Sequence, residues 1–490
     1  MKILAKLFAF SLLLFAPCLL HAQPHELTIS QEDRVYHLSR LWSAVKYNFV
    51  NLDQIKFDAD SLYRACLAEA LSVKSDYAYM RLLTRFLCAW GDGHTGLSFA
   101  RGRGDYLLDG QVYVPLNLKY MKDGLYINCL CVTPLQDESM LGAKILKIDG
   151  IPSEQYLKDS IFPYISASTE HYKRTKCAIP IVNGYPHCSF NITIKQRDGV
   201  VKDVSIPRNQ TIPPDAQTIG IPSSQRLLSR PVWYTKLDGD VSYLMLQTFA
   251  HQSVCDDIYK YVGQINSSKG LIIDLRRNGG GTTDVAWFLQ SLLTPDGTNG
   301  FLSYGSSIRV NDGVKMAWSG WKEDCKPYGS YSAFRHEPAD SIMISDTLTR
   351  IKVPVVILIG PETYSAAEDF LVCMKEVPNR PIFIGEETGG STGLPLLVND
   401  LPHGAYARIC THRISFPYSG KPFVGKGIEP DIWVKESIDD YLGLTKGLFE
   451  TWPKWEKVEE IEQINLQMLP QDVVVQAALG ELKKAGEKGR

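Results

Sequence analysis

The feature that most narrows the fold is an alternation in the second half of the chain. Across residues 225–435 the apolar runs YLMLQTF, GLIIDLR, VPVVILIG and PIFIG are separated by TTDVAWFLQSLL and SAAEDFLVCMKE. The runs are rich in β-branched residues and apolar at consecutive positions, as in strands covered on both faces, whereas the segments between them have helical length and period. Strands buried on both sides and joined through helices give an α/β layer with a largely parallel sheet. This core is expected over 225–445.

The rest of the chain reads differently. SQEDRVYHLSRLWSAVKYNF, DSLYRACLAEAL and DYAYMRLLTRFLCAW carry apolar residues at helical spacing, with Ser30 and Asp33 marking the first N-terminus, so a small helical bundle is expected over 23–104. From 105 to 212 the period shifts to strands: QVYVPLNLKYM, GLYINCLCV, AKILKIDG and FNITIKQRDGVVKDVSI are divided by Asp-Gly turns, the last forming a hairpin across Arg197, Asp198 and Gly199. LGAKILKIDGIPSEQYL resembles the G-x-x-I-x-x-I-D-G segment of PDZ domains, with an insertion near 160–187, so 105–212 is expected to be a PDZ-like, β-rich domain. Helices return in a C-terminal tail over 446–490.

The first 22 residues have the three parts of an export signal: Lys2 and Lys6, the run LFAFSLLLFAPCLL, and Ala22. A bilayer span needs about 20 apolar residues, so a cleaved signal peptide (1–22) and a periplasmic or extracellular mature protein are expected. Membrane association is expected only on lipidation of Cys18, and Pro17 stands where lipoprotein processing wants a small residue. With 44% apolar and 22% charged residues, the bulk is ordinary globular protein. The 52 basic and 54 acidic side chains nearly cancel and no long basic run occurs, which argues against a nucleic-acid partner. Cys66, Cys88, Cys255 and Cys373 fall in apolar helical segments and Cys129 and Cys131 on one face of one strand, so no disulfide framework is expected; without CxxC or HExxH neither is a zinc site, and no cofactor is implied.

Chemistry concentrates at two strand ends. LIIDLRRNGGG ends a strand at Asp274, Arg276 and Asn278 and continues into Gly279, Gly280 and Gly281, whose backbone N–H groups can approach a substrate carbonyl with no Cβ in the way. The Lys and Ser/Thr of a phosphate-binding loop are missing. VVILIGPETYSAAEDF places Ser365 at a helix start, where a serine taken alone reads first as an N-cap; the same place also suits a nucleophile whose neighbour Ala366 offers an N–H to an oxyanion, and the glycine motif tips the reading that way.

Together these motifs resemble the tail-specific (C-terminal-processing) serine peptidase superfamily, whose pattern reads D-L-R-x-N-x-G-G and, further on, S-A-x-E; GEETGG and GKGIEPDIWV fall where that family keeps a Gly-rich loop and a G-I-x-P-D segment. The resemblance implies a multidomain α+β protein with a ClpP/crotonase-like α/β core, hydrolysing peptides or unstructured protein C-termini. Ser365 is then the nucleophile, and Gly280 or Gly281 with Ala366 form the oxyanion hole. It allows a homo-oligomer.

A serine nucleophile needs a base. One branch of the superfamily uses a Lys in a G-E-x-T-x-G-K-G segment, but this chain reads GEETGGSTG, with Ser391 at the Lys position. The branch resembling the tricorn core takes a His from the helical domain, and GDGHTGLSF supplies His94. That pattern has a Ser before the His, where this chain has Gly93, and an orienting Glu for which Glu368, Glu386, Glu387 and Glu429 all stand open. Lys421 and Lys426 are the fallback bases. A non-catalytic binding protein on the same fold is the competing reading; an esterase is less well supported, since GxSxG is absent.

Overall fold

The computed structural model of the chain describes residues 26–100, 104–186, 188–208, 216–220, 230–311, 326–328, 332–444, 462–463 and 466–488. The expected signal peptide, Cys18 and the start of the tail lie outside them.

The apolar strands line up as read. Val232–Leu237, Val241–Leu246, Gly270–Asp274, Val355–Ile359, Ile382–Gly385 and Ile432–Trp433 form one six-stranded sheet in that order. Only the first pairing is antiparallel. Side chains alternate between its faces: Leu271, Ile273, Ile357 and Ile359 join a core with helices Thr283–Leu293 and Ala366–Lys375, while Ile272, Val356, Leu358 and Ile384 face the other way. The second face is closed by helix Val473–Lys488 through Val474, Val475, Ala478 and Leu482. At about 1.5–3 kcal/mol for each buried Val or Leu, this helix is a layer of the core.

The three N-terminal helices are Gln31–Asn48, Ala59–Ser72 and Asp76–Cys88, the first capped by Ser30 Oγ, which accepts the Asp33 N–H at 3.0 Å. They do not close a core of their own. Leu38, Leu41, Tyr79, Leu83 and Phe86 pack with Val398, Ala407 and Ile409, and strand Gly96–Phe99 pairs antiparallel with Ala405–Cys410. Bundle and α/β core therefore share one apolar cluster. A separate antiparallel sheet, containing Gly305–Asn311, Lys326–Tyr328, Ser332–Glu337 and His412–Ser415, was not anticipated.

The β-rich unit is an antiparallel sheet containing Leu116–Met121, Gly124–Cys131, Lys144–Ile148, the expected hairpin Ser189–Lys195 with Val201–Pro207, and Thr218–Gly220. Its insertion carries helices Glu170–Lys176 and Ala178–Val182. Cys66, Cys88, Cys255 and Cys373 are buried free thiols, and Cys129 and Cys131 are unbridged.

Candidate active site

Ser365 sits on a sharp turn between strand Val355–Ile359 and helix Ala366–Lys375. Thr363 ties this turn to the neighbouring strand end: its hydroxyl accepts the Gly360 N–H at 3.0 Å and donates to the Leu275 carbonyl at 2.8 Å. The Tyr364 N–H donates to the Asn278 carbonyl at 2.8 Å. So held, Ser365 adopts φ 55°, ψ −127°, a conformation costly for a residue with a Cβ and concentrated at functional turns. A GxSxG sequence is absent, yet the strand–turn–helix elbow that such motifs build is present. The Ser365 hydroxyl bonds to His94 Nε2 at 3.1 Å, and Ser365 also forms a capping box with Glu368 at the start of its helix.

His94 follows the third helix in a turn fixed by Asp92, a buried carboxylate that accepts the His94 N–H at 2.8 Å. Burial pushes the Asp92 carboxyl up to about 6, against the hydrogen bonds it accepts. The imidazole is 7% exposed and lies parallel to the Tyr364 ring at 5.3 Å between centroids. Its Nδ1 is 2.9 Å from Ser391 Oγ. The tautomer that lets Nε2 accept from Ser365 carries its proton on Nδ1 and donates it to Ser391. Burial first, and the Arg408 charge second, lower the His94 pKa to about 4, so the ring is neutral at pH 7.

Gly93 explains the missing serine before the histidine. A Cβ there would lie 1.6 Å from the Tyr364 hydroxyl and 3.1 Å from Ser391 Oγ. That space is already filled by the hydroxyls of other segments. Ser391, singled out in the sequence only because no lysine stood there, is therefore the Nδ1 partner of His94. The polar hydroxyl at the lysine position was the one available signal.

Of the four candidate acids, Glu368 alone reaches this constellation. It is fully buried and accepts from the N–H groups of Ser365 (3.3 Å), Gly390 (2.8 Å) and Ser391 (3.0 Å) and from the Thr388 hydroxyl. Burial pushes its carboxyl up to about 8, although those donors pull the other way. Glu368 does not touch His94; it holds the loop that carries Ser391. Glu387 pairs with His171 at 3.1 Å, Glu386 approaches Lys435 at 3.8 Å, and Glu429 offers its backbone carbonyl to Lys375 at 2.9 Å. Lys421 and Lys426 are exposed, and neither bonds to Ser365.

The glycine run divides its roles. The Gly280 N–H donates to Asn278 Oδ1 at 2.9 Å, so Gly280, an expected oxyanion donor, has that group engaged. Its own Cβ would fall 2.6 Å from Ser365 Cβ and 2.8 Å from the Ala366 nitrogen, so its contribution is room. Phe249 donates to the Gly280 carbonyl and accepts from the Thr282 N–H, both at 2.8 Å, which turns the Gly281 N–H away from Phe249. The N–H groups of Gly281 and Ala366 have no acceptor among the described residues. Asp274 and Arg276 are structural: Arg276 bridges Asp274 (2.7 Å) and Asp472 (2.9 Å), and Tyr243 donates to Asp274 at 2.6 Å. A cavity of about 490 Å³ lies between the β-rich unit and the core, but Ser365 and His94 do not line it.

The comparisons with known proteins agree with this architecture. The profile of Peptidase family S41 matches residues 240–434, the stretch that carries Ser365 and the glycine run. The crystal structure of mature CPAF is 15% identical and superposes with a TM-score of 0.64 over 91% of this chain and 99% of its own. Mature CPAF complexed with lactacystin gives 14% identity and a TM-score of 0.63, over 90% of this chain and 99% of its own. A putative peptidase from Parabacteroides merdae is 18% identical, with a TM-score of 0.48 over 92% and 96%. The search of curated proteins returned no match. At these identities the two CPAF structures show a common fold, and the profile identifies residues 240–434 as a Peptidase family S41 segment.

Proposed function

We propose that the protein is an exported serine peptidase that cleaves peptides or unstructured protein C-termini through an acyl-enzyme at Ser365. The observation that carries the reading is the 3.1 Å contact between Ser365 Oγ and a neutral, buried His94, made across 271 residues of chain. Ser365 closes a capping box with Glu368, but capping alone gives no reason for its hydroxyl to meet an imidazole from the helical bundle.

In the proposed reaction His94 Nε2 takes the hydroxyl proton as Ser365 Oγ attacks the scissile carbonyl. The N–H groups of Ala366 and Gly281 receive the oxyanion, each worth roughly 3–4 kcal/mol of transition-state stabilisation. The imidazolium then gives its proton to the leaving amine, and water repeats the sequence on the acyl-enzyme. Ser391 keeps Nδ1 protonated and the ring aligned, so the orienting group of the triad is a hydroxyl in this chain. The β-rich unit is read as a PDZ-like domain that adds an extended peptide to a sheet edge. The first 22 residues support export.

Labelling by a fluorophosphonate probe tests the central claim. Stoichiometric modification at Ser365, lost in Ser365→Ala, is expected. A folded protein that resists the probe and binds peptides without cleaving them would establish the competing, non-catalytic reading. Intact-mass analysis of exported protein should show a chain beginning at Gln23; a retained leader or a lipid on Cys18 would refute that part.

A further inference from the structure

The insertion in the β-rich unit reaches the catalytic pair. From helix Glu170–Lys176, Tyr172 stacks on Tyr364 at 4.6 Å and 12°, and Tyr364 stacks in turn on His94 at 5.3 Å and 1°. Lys176 lies over the outer face of Tyr172, 5.3 Å from its centroid, and pairs with Glu362 at 2.9 Å, two residues before Tyr364. Two glycines make the slot for these rings. A Cβ at Gly389 would meet Tyr364 at 2.4 Å and Tyr172 at 3.0 Å, and one at Gly93 would overlap the Tyr364 hydroxyl. The same insertion grips the loops on either side: Ser168 Oγ accepts the Gly93 N–H at 3.0 Å, and Thr169 Oγ1 donates to the Gly389 carbonyl at 2.9 Å.

We propose that Tyr172 is a positioning residue for the reaction: its ring fixes Tyr364, and Tyr364 fixes the plane of the His94 imidazole. The site is thereby assembled from three separate parts of the chain, and the catalytic base is aligned only while the insertion is seated. A ring free on its outer face can tilt, and a misplacement of about 1 Å at a reacting group lowers rates on the order of 10²-fold. Because Tyr172 touches neither Ser365 nor the oxyanion donors, its loss falls on turnover and not on substrate affinity.

The inference rests on Ser365 being the nucleophile, and the test separates the two. Full-length protein and the variants Tyr172→Ala, Tyr172→Leu and Tyr172→Phe are compared for fluorophosphonate labelling rate, for kcat and KM on a short activated ester, and for Tm. Tyr172→Ala and Tyr172→Leu are expected to label and turn over ten-fold to 100-fold more slowly at nearly native KM, with Tyr172→Phe restoring most of the rate because it keeps the ring. Native rates in folded Tyr172→Ala, or in Tyr172→Leu should the alanine variant not fold, overturn the proposal. So does a failure of Tyr172→Phe to recover. If the unsubstituted protein itself does not label, the fault lies with the nucleophile, and both readings fall.

Discussion

The two halves of the proposed catalytic pair are built in opposite ways. Ser365 is set by its own neighbourhood, a strand end, a turn tied down by Thr363 and a helix N-terminus, all within a single α/β layer. His94 is set from a distance: its turn belongs to the helical bundle, its Nδ1 partner comes from residue 391, and the rings beside it come from residues 364 and 172. The proposed nucleophile is thus a product of local backbone geometry, whereas the proposed base is a product of tertiary packing. Substitutions far from the serine in sequence should act on the base, and few should act on the serine.

The harshest trial of this contrast removes the nucleophile: Ser365→Ala is expected to lower kcat by about 10⁶-fold with KM little changed, measured on a peptide substrate. His94→Ala should lose nearly as much, because residues that act as a unit fail together. The buried ring also leaves Ser391 without its partner, so a drop in stability of about 1–3 kcal/mol is expected alongside; recovery of activity by Lys421 or Lys426 would break the assignment. Ser391→Ala is expected to cost about 10²-fold in kcat, with Ser391→Thr, which keeps the hydroxyl, closer to native. Equal rates in the two variants would mean that the base needs no orienting hydroxyl. The mildest effect is the acid limb of kcat/KM. A base lowered to about 4 stays neutral, and so competent, through pH 5.5. Activity there should match that at pH 7, whereas an ordinary imidazole with pKa near 6.5 would have lost about ten-fold.

What was legible in the sequence follows the same division. Consecutive apolar β-branched residues declare the parallel sheet, and the strand end at Gly360 followed by a helical run declares the Ser365 turn, because both are local properties of the chain. His94 came from the resemblance to the tricorn-like branch, and its partners did not come from the sequence at all. Ser391 and Tyr364 have no periodicity or motif of their own; they become neighbours only when the loop at 389–391 folds back over Gly93, and a single sequence carries no record of that approach. The helix at 473–488 was visible as a helix, but the face it covers was not, since the partner strands lie more than 90 residues earlier except for Ile384 and Ile432. The choice between Gly280 and Gly281 likewise turned on where the Asn278 side chain points.

The backbone at Ser365 has a practical corollary for preparing an inert form of the protein. A side-chain-bearing residue at φ 55°, ψ −127° carries a standing penalty of about 1–3 kcal/mol. Alanine inherits that penalty, since it keeps the Cβ; glycine does not. Of the two ways to silence the hydroxyl, Ser365→Gly should therefore yield the protein that melts later, and it is the better vehicle for trapping an uncleaved peptide. The residue that the proposed chemistry requires is also one that the fold, left to itself, would exchange.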